Sequence, residues 1–166
     1  YEIINASLDI DVDAWFLEQR QELEADWEED LDDAEGDWPG ESSVKLGFAG
    51  LTDIHTGEPF KEVIGVRIPT ARSWELPAHL AYGGWNECPE PEIQCAIWRY
   101  WEAKYGAAII GVSGGVVEAY VAKPPRTEAA AMELAWEQYL YCYDIVEQGV
   151  ETVANLGAGL LNHQFW

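Results

Sequence analysis

The sequence predicts a single α+β domain with a mainly antiparallel sheet and helices packed on one face of it. Three observations lead there. The 166 residues, 48% hydrophobic and 13% aromatic, suit one domain that buries about 70% of its unfolded surface without disulfides or metals. Behind an acidic helical segment, strand-type and helix-type patterns follow in the order β-β-α-β-β-α-α. Between two apolar runs, Ser113-Gly114-Gly115 marks a tight β-hairpin, which makes its flanking strands antiparallel neighbours.

The first element is predicted from Phe16, Leu23, Trp27 and Leu31, which recur at helical spacing with Trp15 beside them. With Asp11 or Asp13 as N-cap, they give a helix of about five turns over residues 13–34. Its polar side carries Glu18, Glu22, Glu24, Asp26, Glu28, Glu29, Asp30, Asp32 and Asp33. Residues 1–41 hold 16 acids and one base, so they account for −15 of the net charge of −22, while residues 42–166 carry −7. The expected organisation is therefore an acidic amphipathic segment, residues 1–41, packed on an α+β domain, residues 42–166. The acidic side is either a solvated face or a docking surface formed by Glu18, Glu22, Asp26, Glu29, Asp30 and Asp33. A calcium loop does not fit it. With Gly36 at the sixth position, where such a loop turns, Leu31 and Ser42 fall on ligand positions that need carboxylates.

Val44 to Ala49 and Val63 to Ile68 read as strands that pair across a long loop containing Thr56-Gly57-Glu58-Pro59. Pro69 to Pro91 lacks periodicity and reads as one long aromatic loop. Pro91, flanked by Glu90 and Glu92 at the positive end of the dipole, opens a helix that runs to Tyr105 and stops at Gly106. Ile93, Ile97 and Tyr100 or Trp101 form its core stripe, with Lys104 contributing its stem. The hairpin strands are Ala107 to Val112 and Val116 to Val121. Thr127 caps an alanine-rich helix, and a last helix is expected from about Val150 to Leu161, after Gly149.

Charge limits the partners. Nucleic-acid binding depends on Lys and Arg displacing counterions, and anionic lipid repels a chain of −22, so neither a nucleic acid nor a membrane is expected. A basic protein is the complementary partner. Cys88, Cys95 and Cys142 are an odd number without C-x-x-C spacing, which reads as reduced thiols in a cytoplasmic protein, with Cys95 and Cys142 as small buried hydrophobes. His55, His79 and His163 are scattered, and no spacing suggests a metal or cofactor site. Gly111-Val112-Ser113-Gly114-Gly115 matches the G-x-S-x-G elbow, with Asp144 and His163 in the matching chain order. The elbow needs a helix after the serine, however, and Val116 to Val121 is strand-like, so Ser113 reads as a turn residue.

Two segments combine large aromatics with hydrogen-bonding side chains: Leu80 to Pro89, which includes Tyr82, Trp85 and Asn86, and Glu137 to Gly149, which includes Tyr141 and Asp144. These segments, with Trp98-Arg99-Tyr100-Trp101, Lys104-Tyr105-Gly106-Ala107 and Ala122-Lys123-Pro124-Pro125, resemble the bacterial family catalogued as domain of unknown function 4253, over about residues 74–166. Tyr143 departs from the family pattern, which has Pro after the Tyr-Cys pair. The resemblance implies a fold and marked positions without an activity, substrate or cofactor.

Two functional readings follow. One is a noncatalytic interaction module, of the inhibitor or immunity type, that presents its acidic surface to a basic protein, with imitation of nucleic acid as a variant. The alternative is a small-molecule-binding domain or enzyme with a pocket formed by Trp85, Asn86, Arg99, Glu137, Tyr141 and Asp144. In that pocket Arg99 holds an anion, unless it forms an internal salt bridge with Glu92, Glu102 or Glu137.

Overall fold

The computed structural model describes residues 1–26, 31–40, 52–53, 56–85, 88–113 and 115–166, with the backbone alone at residues 26 and 32. The predicted strand at 44–49, together with Trp27, Glu29, Asp30, His55, Asn86 and the side chain of Asp26, lies outside that description.

Near the N-terminus, α1 (Glu2–Leu8) packs along the later helix that starts at Pro91, and α2 (Val12–Asp26) follows it. Asp11 caps α2, its Oδ1 accepting the Ala14 N–H at 3.1 Å. Val12, Phe16 and Leu23, at helical spacing, are buried in the common core, while Asp13, Glu18, Glu22 and Glu24 are exposed. A short α3 (Leu31–Glu35) contacts the last helix, so the predicted helix over 13–34 is seen as helical at residues 13–26 and 31–34, with 27–30 outside the described residues.

The run Val63 to Ile68 is not a strand. Its backbone has no strand pairing among the described residues, and Val63, Ile64 and Val66 are exposed. Apolar β-branched residues favour a pleated, half-buried surface, and where no neighbouring strand is present among the described residues the preference alone builds no ladder. The expected loop from 69 to 91 also needs correction. It contains a 3₁₀ turn at Ser73–Glu75 and α4 (Leu76–Leu80), with Trp74 and Pro77 buried. Pro77 sits in the first turn of α4, where its missing N–H is harmless, and Ala81 closes the helix in the left-handed region at φ 48°.

The centre of the molecule is α5 (Pro91–Tyr105), which starts at its proline and ends at Gly106 as the sequence predicts. Gly106 adopts φ 65° and donates its N–H to the Glu102 carbonyl at 2.8 Å. Gln94, Cys95, Ala96, Ile97, Trp98, Trp101 and Tyr105 are all buried, more of the surface than one stripe, because α5 has neighbours on several sides. Ile93 and Tyr100, assigned to the stripe, are half-buried.

The hairpin pairs β1 (Ala107–Val112) with β2 (Val117–Val121) in antiparallel register, Ala107 facing Val121, with an irregularity between Ile109 and Gly111. The C-terminal residues extend this sheet: the Ala119 and Trp166 backbones exchange hydrogen bonds at 3.1 Å, and the Val121 N–H reaches the Gln164 carbonyl at 2.8 Å. The sheet among the described residues is thus smaller than predicted, within an α+β fold rich in helix.

Thr127 caps α6 (Glu128–Tyr141) through the Ala130 N–H at 3.3 Å. The last helix starts later than expected. A π-helical turn at Val146–Val150 takes in Gly149, and α7 (Val153–Leu160) begins after Thr152, whose hydroxyl accepts the Asn155 N–H at 3.1 Å. α6 and α7 pack closely against each other.

Candidate functional site

Two side-chain networks lie between α5 and the C-terminal half of α6. The first is centred on Glu137. Its Oε1 accepts from the Tyr100 hydroxyl at 2.8 Å and from Lys104 Nζ at 2.7 Å, and its Oε2 accepts from Trp101 Nε1 at 2.8 Å. Lys104 Nζ also donates to Glu133 at 2.6 Å and to the Tyr100 oxygen at 2.8 Å. Helical spacing explains the convergence, because Tyr100 and Lys104 stand one turn apart on α5 while Glu133 and Glu137 do so on α6. Burial works to lower the Lys104 pKa, but hydrogen bonds to Glu133, Glu137 and Tyr100 override it and hold the group above the ordinary lysine range. All three ammonium protons are engaged, so Lys104 acts as a cation that neutralises two carboxylates and has no lone pair to offer as a nucleophile.

The second network joins the loop after α4 to the end of α6. The Tyr141 hydroxyl donates to Gln94 Oε1 at 2.8 Å and accepts from Trp98 Nε1 at 3.3 Å, while Gln94 Nε2 donates to the Pro89 carbonyl at 3.1 Å. Burial, with the Trp98 hydrogen bond opposing it, raises the Tyr141 pKa far above the usual phenol range. Gly83 makes this approach possible. Its φ is 130°, and a Cβ there would sit 2.4 Å from both Gln94 Nε2 and the Pro89 oxygen. In the same loop Trp85 meets Tyr82 edge-on, with ring centroids 4.7 Å apart. Cys88 Sγ lies 3.6 Å from Cys142 Sγ, so Cys142 is half-buried beside a second thiol, not an isolated hydrophobe of the core. Burial, helped by both sulfurs, pushes Tyr82 up to about 12.

Arg99 and Asp144, the other pocket candidates, have partners of their own, and Asp144 also lies beside Cys142. Arg99 Nη2 donates to the Ser7 carbonyl at 3.1 Å, and its guanidinium lies 5.9 Å from the Trp74 ring centroid, so it ties α1 to α5 in place of the expected ion pair. Asp144 accepts from Gln148 Nε2 at 2.7 Å. A groove of about 380 Å³ is lined by Tyr1, Glu2, Ile3, Ile4, Ala78 and His79, none of them a predicted pocket residue. Among the described residues no group of three or more His, Cys, Asp or Glu is placed to hold a metal.

On the acidic segment Glu18 and Glu22 face outward from α2, and Asp33 is exposed on α3. Arg20, the only base in the first 41 residues, is partly exposed and lies between two partners: its Nε is 3.0 Å from Glu24 and its guanidinium 4.5 Å from the Trp136 ring on α6.

Residues 65–166 match the family model described as Domain of unknown function (DUF4253), which is more than half of the chain. The chain belongs to this family. No curated protein and no solved structure matches it. The DUF4253 region contains α4 to α7, the hairpin and both networks, whereas α1, α2 and α3 precede it. It starts ahead of residue 74, where the sequence motifs begin. Gln94, Tyr100, Lys104 and Glu133 escaped the sequence reading as network members, because each also has a partner on a different helix that no local pattern announces. Cys88 and Cys142, each inside one of the aromatic segments, carried a positional signal but no spacing signal.

Proposed function

We propose that this DUF4253 protein is a noncatalytic interaction module that covers a basic surface of a protein partner, as an inhibitor or immunity-type protein does. The observation that carries this reading is the division of α2 into two sides. Val12, Phe16 and Leu23 are buried, Asp13, Glu18, Glu22 and Glu24 face solvent, and Arg20 is engaged by Glu24 and Trp136. The outward carboxylates therefore keep a field of one sign, which attracts and orients a cationic surface and speeds association. The interior supports the same reading. Glu137, Lys104, Tyr141 and Arg99 are engaged in hydrogen bonds that join helices, which gives them a structural task without a ligand.

The test uses a lysine-rich histone as the basic probe. Its affinity is expected to fall as salt rises. The triple variant Glu18→Gln, Glu22→Gln, Glu24→Gln should bind about tenfold more weakly, if each lost charge counts for about 0.5 kcal/mol. Glu62→Gln, Glu128→Gln, Glu151→Gln removes the same charge from exposed sites outside α2. If this control weakens binding as much as the α2 variant, or if salt has no effect, the proposed surface is wrong.

A further inference from the structure

The two aromatic segments meet at a thiol pair whose positions are fixed from both sides. Cys88 donates its backbone N–H to the Trp85 carbonyl at 3.1 Å, and Cys142 caps α6 with its N–H on the Gln138 carbonyl at 3.0 Å. The Tyr141–Gln94–Pro89 hydrogen-bond chain ties the residue before Cys142 to the residue after Cys88. Gly84, at φ 78°, adds a bond from its N–H to the Pro89 carbonyl at 3.1 Å. The sulfurs stand 3.6 Å apart across 54 residues of chain. A disulfide needs about 2.0 Å between the sulfurs, so the two Sγ atoms already lie close to bonding distance. Both residues are half-buried, whereas Cys95 is fully buried on α5 and pushed up to about 11 by that burial.

We propose that Cys88 and Cys142 are a redox modification site, which a small disulfide such as oxidised glutathione converts reversibly into a bond that staples the α4–α5 loop to the end of α6. In the first step one cysteine loses its proton and its sulfur attacks the small disulfide, forming a mixed disulfide and releasing one thiol, which takes up that proton. In the second step the other cysteine loses its proton and attacks the mixed disulfide at the protein sulfur, releasing a second thiol. Two protein thiols are oxidised and one small disulfide is reduced to two thiols. A hydrogen bond with Cys88, together with burial, raises Cys142 above the ordinary thiol range, so little thiolate is present at neutral pH and the exchange is slow.

The whole chain is incubated with oxidised glutathione, alkylated, and mapped by peptide mass, with Cys95→Ser, Cys88→Ser and Cys142→Ser in parallel. The native protein and Cys95→Ser should lose two hydrogens, yield a linked 88–142 peptide, and melt at least about 5 °C higher until dithiothreitol is added. Cys88→Ser and Cys142→Ser should show neither the link nor the higher melting temperature. Glutathione adducts in place of the link, a link that includes Cys95, a protein that stays reduced, or a linked protein with an unchanged melting temperature would each overturn the proposal.

Discussion

Glu137 shows what a buried carboxylate needs in a chain of this charge. Its two oxygens take three donors, and the nearest cation, Lys104, is shared with Glu133. Removing the carboxylate by Glu137→Ala leaves the Trp101 N–H buried without a partner and Lys104 with one carboxylate. Loss of one member of a buried pair costs about 3–5 kcal/mol, and the 29% exposure of Lys104 places this case nearer about 2–3 kcal/mol. Urea unfolding measures it; a loss below about 0.5 kcal/mol would mean that the network is effectively solvated. Gly83→Ala is a second test at this scale. The added Cβ meets the Gln94 amide and the Pro89 carbonyl at 2.4 Å, so the variant should break the Gln94–Pro89 hydrogen bond and expose Trp85 further, which tryptophan fluorescence reports.

At the scale of the element, caps and stripes decide where helices begin and which side they bury. Thr127 and Thr152 both accept an N–H three residues ahead, and each change to Ala should lower stability by about 1 kcal/mol. The acidic helix depends on its stripe. Phe16 is buried against Tyr100, with ring centroids 6.2 Å apart, and Phe16→Ala should cost about 3 kcal/mol or more. Hydrogen exchange should then show α2 losing protection before α5 does; equal loss in both would make α2 part of one cooperative unit with the core.

Across the whole molecule, the titrating interior fixes how stability depends on pH. An unfolded tyrosine releases its proton near pH 10, but burial holds Tyr82 and Tyr105 to about 12. Between those values the unfolded chain binds fewer protons than the folded one, so stability falls as pH rises. Lys104, held above its ordinary range, acts in the same direction: its contribution is whole below about pH 10.4 and is lost on further rise. The urea midpoint should therefore be lower at pH 11 than at pH 8, and an equal or higher midpoint would contradict the buried state of these hydroxyls. A net charge of −22 also implies self-repulsion, so moderate salt should raise the melting temperature. Among the described residues no helix is long and apolar enough to cross a membrane.

Local physics alone determined a good part of this protein. Proline at the start and glycine at the end bounded α5, Thr127 began α6, the hairpin signature between two apolar runs made β1 and β2 antiparallel neighbours, and Phe16 and Leu23 assigned the buried side of α2. Each of these follows from residues within a turn or two of one another, where sterics and capping act directly. Tertiary structure decided the rest. Among the described residues the apolar run at Val63 to Ile68 has no strand partner, whereas the C-terminal residues took a place beside β2, because a strand exists only when another backbone supplies its partner. The predicted pocket residues were distributed into the Glu137 network, the Tyr141 chain, the Arg99–Ser7 tie and the Asp144–Gln148 bond. Cys88 and Cys142, 54 residues apart, met for the same reason: buried polar atoms and thiols find partners in space, and no local pattern encodes which distant helix supplies them.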